Sequence, residues 1–290
     1  MARRARPRRL LQSKKKTFLQ CGRFSLPLEK PLVMGVVNVT PDSFSDGGRF
    51  EDAEAAIAHA LSLIEDGADI LDVGGESSRP GAAPVSVEEE LRRVLPVVRQ
   101  LRDVPVSVDT RRPEVMRAAL DFGASMINDI EALSAPGALE AVAKSDCAVC
   151  LMHKQGEPAT MQRDPHYDDV VGEVKAFLEQ RVKAAQGAGI AAGRIVVDPG
   201  FGFGKTVAHN LELLRHLEKF SSLKLPVLAG LSRKSSLEKI TGRAVGERLA
   251  GSLAMALLAL QGGARILRVH DVKETRDVIS VWEAFQEQGA

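Results

Sequence analysis

From Pro31 onward one pattern repeats along the chain. A short run of β-branched and apolar residues ends in polar residues or glycine, and an amphipathic stretch follows. The runs occupy residues 32–39, 69–74, 104–109, 125–130, 148–152, 195–198, 226–230 and 264–269. Most are apolar almost throughout, as expected of strands buried on both faces. In one of them Val104, Val106 and Val108 alternate with Pro105 and Ser107, which suits a strand with one face toward a tightly filled interior.

The stretches between the runs read as helices. Ala53, Ala56, Ile57, Ala60, Leu61 and Ile64 recur at helical spacing. Residues 86–89 (Ser-Val-Glu-Glu) form a capping box, and Leu91, Val94, Leu95, Val98 and Leu101 fall on one face behind it, with Pro96 expected to kink the helix. Residues 173–188, 246–260 and 273–288 give three more helices. Eight such units in about 260 residues, with no linker dividing them, predict a single (β/α)8 TIM barrel rather than an open doubly wound sheet. Residues 17–30 precede the first unit as a short extended element placed to plug the barrel bottom, so the predicted catalytic domain covers 17–290.

Composition narrows the class without changing the fold. The 290 residues are 44% hydrophobic and 27% charged, which excludes disordered, collagenous and coiled-coil readings. No apolar run approaches the roughly 18 residues of a membrane helix. Cys21, Cys147 and Cys150 lack zinc spacing and read as reduced packing thiols of a cytoplasmic protein. Residues 1–16 carry eight Lys/Arg and no acid, a basic tail expected to be disordered. It has no apolar core of a secretory signal. The rest of the chain holds 31 bases against 38 acids, a net of −7, which argues against nucleic acid as a partner of the barrel.

Candidate chemistry sits where the runs end, at the face on which such barrels build their sites. The run ends supply Asn38, Asp72, Asp109, Asn128, Met152 with His153, Asp198, Ser232 to Lys234, and Arg268 with His270. One such residue reads as a helix cap; eight, one per strand, read as a pocket. Its carboxylates, without metal-ligand histidines, suit a neutral ring rich in N–H donors, such as an aminopyrimidine. Lys234, Arg268 and His270 come from the last two strands, where barrels commonly bind phosphate, so acids at one end and cations at the other suit a heterocycle bearing an anionic group. The segment from Asp198 to Thr206 misses the phosphate-loop pattern because Pro199 stands where a glycine is required. Its glycines instead suit a loop folded close to a ligand, with Phe201 and Phe203 stacking nearby.

Several of these segments resemble one family. Residues 34–48, MGVVNVTPDSFSDGG, resemble the first signature of the dihydropteroate synthases, and residues 74–81, GGESSRPG, the second. Val108-Asp109-Thr110, Ile127-Asn128-Asp129, the loop from Asp198 to Lys205, Ser232-Arg233-Lys234-Ser235 and Arg268-Val269-His270-Asp271 follow in order, so the likeness spans about residues 22–285.

The resemblance implies condensation of (7,8-dihydropterin-6-yl)methyl diphosphate with 4-aminobenzoate in folate synthesis, using Mg2+, with C–O cleavage running ahead of amine attack. It implies pterin binding by Asp109, Asn128, Asp198, Lys234 and Met152, and diphosphate binding by Asn38, Ser78, Arg268 and His270, with Asn38 also meeting Mg2+. An aminobenzoate site of Phe44, Ser78, Arg79, Pro80, Phe203, Lys234 and Ser235 would form as residues 40–48 and 76–84 close over diphosphate. Lys234, Asp109, Asp198, Arg268 and His270 form the implied catalytic set. Ser78 stands where the family often has threonine, which keeps the hydroxyl and removes a methyl. Sulfonamide inhibition and a homodimer built through the late helices belong to the same implication. Two alternatives share the pterin residues: a non-catalytic pterin-binding paralogue, and a methyltransferase acting between a methylfolate and a corrinoid.

Overall fold

The computed structural model describes residues 17–39, 49–77, 85–157 and 160–288. A hairpin of β1 (Phe18–Cys21) and β2 (Phe24–Pro27) comes first. Eight parallel strands follow: β3 (Leu32–Asn38), β4 (Ile70–Gly74), β5 (Val106–Asp109), β6 (Met126–Asp129), β7 (Ala148–Met152), β8 (Ile195–Asp198), β9 (Leu228–Ala229) and β10 (Ile266–Val269). Each bonds to the next in sequence, β10 returns to β3, and a parallel bridge between Val197 and Val227 joins β8 to the approach of β9. The sheet therefore closes, and the fold is the (β/α)8 barrel that the alternation predicted.

The helices on its outside are α1 (Arg49–Glu65), α2 (Val87–Leu101), α3 (Pro113–Asp121), α4 (Ala138–Ala143), α5 (Val170–Gly187), α6 (Val207–Arg215), α7 (Ser235–Thr241), α8 (Leu249–Gln261) and α9 (Val272–Gln288). Ser86 caps α2 by accepting from the Glu89 amide at 3.2 Å, as the capping box requires. The helix runs through Pro96 to Leu101. The helix expected over 246–260 instead opens as a 3-10 turn at Val245–Glu247, before α8 proper.

Strand periodicity sorts the core into two layers. Val33, Val37, Leu71, Val73, Val106, Val108, Val149, Leu151, Val197 and Leu267 point outward and pack against the helices. The alternate positions point inward, and Met34, Ile70, Met126, Ala148, Cys150, Val196, Leu228 and Ile266 fill the lower barrel. Leu19 and Cys21 of the hairpin join that inner cluster. Cys21 Sγ donates to the carbonyl of Ser125 at 3.3 Å, just below β6, so the hairpin closes the bottom. All three cysteines are buried and unpaired, as packing thiols should be. With the bottom filled by apolar side chains, the polar inward positions of the same strands are left at the top.

Candidate active site

The inward parity that places Met34, Ile70, Met126, Cys150, Val196 and Ile266 in the core also fixes the site. Two or four residues further along the same strands stand Asn38, Asp72, Asn128, Met152, Asp198 and Arg268, and Asp109 follows inward-facing Ser107 by two. Asp129 shows the converse. Its carboxylate faces away and caps a turn, accepting from the amides of Glu131 and Leu133 at 2.8 Å each.

Hydrogen bonds tie four of these side chains together. Arg268 Nε donates to Asp72 Oδ2 at 2.6 Å, and a terminal nitrogen of the same guanidinium donates to Asp109 Oδ2 at 2.9 Å. Asn128 Nδ2 donates to Asp72 Oδ2 at 3.1 Å. Burial opposes charge on Arg268, yet Asp72 and Asp109 hold its pKa above the ordinary value. Burial pushes the Asp109 carboxyl up from its usual range, against the pull of Arg268. Burial likewise raises Asp198 to about 6, opposed by a 2.7 Å hydrogen bond from the Gly200 amide and by the charges of Lys234, Lys205 and Arg268. The expected separation of acids from cations is thus incomplete: Arg268 sits among the carboxylates it neutralises.

His270 follows β10. Its Nδ1 lies 3.1 Å from Ser232 Oγ, and burial, reinforced by the charges of Arg268 and Arg233, lowers its pKa to about 3. It therefore stands as a neutral imidazole, not as the third cation of the sequence reading. An arriving anion would reverse that pressure.

Lys234 caps α7, and its ammonium lies 4.3 Å from the centre of the Phe203 ring, a cation–π contact. The preceding Arg233 adopts a left-handed backbone (φ +56°), a conformation that costs about 1–3 kcal/mol. It is held by a 3.0 Å bond from its amide to Ser252 Oγ and by an ion pair with Asp271. Ser235, next along, is exposed at the start of α7. Asn38 is half-buried at the end of β3. Met152 packs with Ile130, Met161 and Phe203. Phe44, Ser78, Arg79 and Pro80 lie outside the described residues.

The loop after β8 is pinned from behind. Lys205 Nζ reaches the carbonyls of Gly200 and Phe203 at 3.0 Å each and His153 Nδ1 at 2.9 Å. Tyr167 donates to the Gly204 carbonyl at 2.9 Å, and Gln162 to that of Gly202. Gly200 has φ +71° with its Cα turned to the His153 carbonyl, where a Cβ would come within 1.8 Å. Phe201 departs from the sequence reading. Its ring is buried in the layer between sheet and helices, so only Phe203 faces the site.

The sequence places Asp72 among the strand-end carboxylates without giving it a role, and Lys205 only at the end of the glycine-rich loop that begins at Asp198. The signals were an acid inside the otherwise apolar run 70–74, at inward parity, and a lysine closing a run of alternating glycines.

The family described as "Pterin binding enzyme" matches residues 34–270. Dihydropteroate synthase of Escherichia coli K12 is 53% identical over 263 residues, covering 90% of this chain and 93% of that protein. The Xanthomonas albilineans dihydropteroate synthase solved with 4-aminobenzoic acid superposes with a TM-score of 0.89 at 56% identity, over 93% of this chain and 98% of that one. A second structure from that organism, holding 7,8-dihydropteroate, gives 0.85 at 54% over the same shares. The Yersinia pestis enzyme in complex with a sulfonamide drug gives 0.89 at 46%, over 93% and 100%.

Proposed function

The chain belongs to the pterin-binding enzyme family and, within it, to the dihydropteroate synthases, and from that membership we infer how its barrel mouth performs the condensation of (7,8-dihydropterin-6-yl)methyl diphosphate with 4-aminobenzoate. It is a transferase. The observation that carries the reading is the convergence of Asp72, Asp109, Asn128 and Arg268 in one hydrogen-bonded group, with Asp198 and Lys234 within electrostatic reach. Relatives bearing the synthase name at about half identity favour this over a methyltransferase or a non-catalytic paralogue.

In this reading Asp109, Asn128 and Asp198 accept from the amino and ring N–H groups of the pterin. Met152 packs against the ring, and Lys234 donates to it from another side. As the C–O bond to diphosphate breaks, positive charge spreads over the pterin methylene and ring, and the carboxylates of Asp109 and Asp198 stabilise it in place without reorganising. Arg268 and neutral His270 donate to the departing diphosphate. The amine of 4-aminobenzoate is neutral, so it attacks without prior removal of a proton. Lys234 over Phe203, with exposed Ser235, forms the inner wall of the aminobenzoate site; Phe44, Ser78, Arg79 and Pro80 complete it from the two loops.

Mg2+ fits the donor set through a single amide oxygen. Among the described residues no three His, Cys, Asp or Glu converge as a metal group. Magnesium commonly keeps several waters and takes one or two protein oxygens with phosphate oxygens. The Asn38 carboxamide would then hold it with the diphosphate, where it supplies charge neutralisation to the leaving group. Sulfonamides would occupy the aminobenzoate site. Ile240, Leu249, Leu258, Val281 and Phe285 are exposed on α7, α8 and α9, which supports a homodimer through the late helices. No helix of the described chain is long and apolar enough to cross a membrane; cytoplasmic residence and a basic tail at 1–16 distinct from the catalytic domain 17–290 complete the reading.

The test is diphosphate release from the two substrates, with and without Mg2+. Turnover that needs both substrates is expected. Release at the same rate without 4-aminobenzoate would overturn the reading.

A further inference from the structure

Asp72 is fully buried (0% exposed), so on this function it lies beneath the ring that the mouth receives. The register sets it one layer down: Gly74 pairs with Asp109, and Asp72 with Ser107. Its Oδ2 meets two donors, Arg268 Nε at 2.6 Å and Asn128 at 3.1 Å. The first of these decides the second. Arg Nε–H can only donate, so the oxygen it reaches is an acceptor, and the end of the Asn128 carboxamide turned toward that same oxygen must be its NH2. The carbonyl end of Asn128 is then turned the other way. It is buried and, among the described residues, has no hydrogen-bond partner, and the same holds for Asp72 Oδ1. A buried acceptor left unpaired is unfavourable, and an arriving N–H donor would recover that loss.

We propose that Asp72 is a positioning residue: by fixing the Asn128 carboxamide with its oxygen toward the ring, it makes the site select a heterocycle edge bearing N–H donors and reject one bearing acceptors. The inference rests on the pterin reading above and deepens it. Arg268 is part of the device, because its Nε–H prevents Asp72 Oδ2 from becoming a donor. Without Asp72, Asn128 could turn over and offer NH2 to the ring at little cost, since an amide is nearly symmetric in shape. A site that must pair a buried polar group discriminates strongly against the analogue that cannot supply the partner.

The experiment measures binding of pterin and of lumazine, in which an oxygen replaces the 2-amino group, to the full-length protein by calorimetry. In the wild type pterin binds more tightly. In Asp72→Ala the ratio of the two affinities falls at least tenfold, because pterin weakens while lumazine gains. In Asp72→Asn the amide oxygen can still receive both donors, and the ratio stays within about threefold of wild type. Equal weakening of both ligands in Asp72→Ala, leaving the ratio unchanged, would mean that Asp72 merely supports the fold and would overturn the proposal. If the alanine variant does not fold, neutron diffraction of the wild type with pterin bound decides the matter. Deuterium on Asn128 facing Asp72 supports the proposal, and deuterium facing the ring overturns it. A wild type that binds neither ligand would instead overturn the pterin reading itself.

Discussion

Nζ of Lys205 lies 2.9 Å from Nδ1 of His153, beneath the glycine-rich loop that joins Asp198 to Phe203. The same nitrogen reaches two carbonyls of that loop, so one side chain holds the backbone between Asp198 and Phe203. Lys205 is 2% exposed, and burial, only partly offset by Asp198, lowers its pKa to about 7.

Lys205→Met should therefore lower stability by about 1–3 kcal/mol for each carbonyl left unpaired. The variant should also raise KM for the pterin substrate more than it changes kcat. The pH dependence has a definite sign. The unfolded lysine keeps a pKa near 10.4, so between about 7 and 10 the unfolded chain binds the extra proton and this group's contribution to stability rises with pH. Denaturation at pH 7 and pH 9 should show that rise in the wild type and a smaller one in the variant.

Asp198 titrates near 6 because burial raises it. Below that pH its carboxyl carries a proton and loses acceptor capacity toward ring N–H groups. Pterin affinity should thus climb between pH 5 and 7 as Asp198 loses its proton. Calorimetry across that range should show the climb in the wild type, and Asp198→Asn should bind weakly with this inflection removed. An unaltered inflection in the variant would assign it to another group.

Arg268→Lys removes the fork that spans Asp72 and Asp109. A single ammonium cannot reproduce two directed bonds, and losing one hydrogen bond between charged groups costs about 1.5–3 kcal/mol. The expected fall in kcat/KM is about tenfold to a hundredfold. Part of the loss should be recovered at higher pH, since Asp109, already raised by burial, then feels a weaker pull from an ammonium that cannot reach both carboxylates. Steady-state kinetics from pH 6 to 9 would show this, and a loss independent of pH would place the effect on the leaving group alone.

Leu19→Ala tests the plug. The side chain is 1% exposed within the lower barrel core, so its truncation should cost about 2–5 kcal/mol. The mouth lies at the opposite end of the strands, and kcat measured well below the melting temperature should stay within about twofold of wild type.

Periodicity alone carried much of this protein. Eight apolar runs separated by amphipathic stretches determined a barrel, because strands buried on both faces with helices between them have few other ways to close. The polar run ends pointed to the mouth, and the motifs around Asn38, Asp109, Asn128, Asp198, Lys234, Arg268 and His270 pointed to the family. What sequence could not decide was which of those groups face one another. Arg268 was read as a cation set apart from the acids, yet the register brings β10 beside β3 and turns its guanidinium to Asp72 and Asp109. His270 was read as charged, yet burial beside Arg268 keeps it neutral. Phe201 and Phe203, two residues apart in a loop of left-handed glycines, went to different layers. Spacing along a chain fixes which face of a strand a residue takes, whereas protonation and amide orientation depend on neighbours brought from distant strands, and those only the closed barrel supplies.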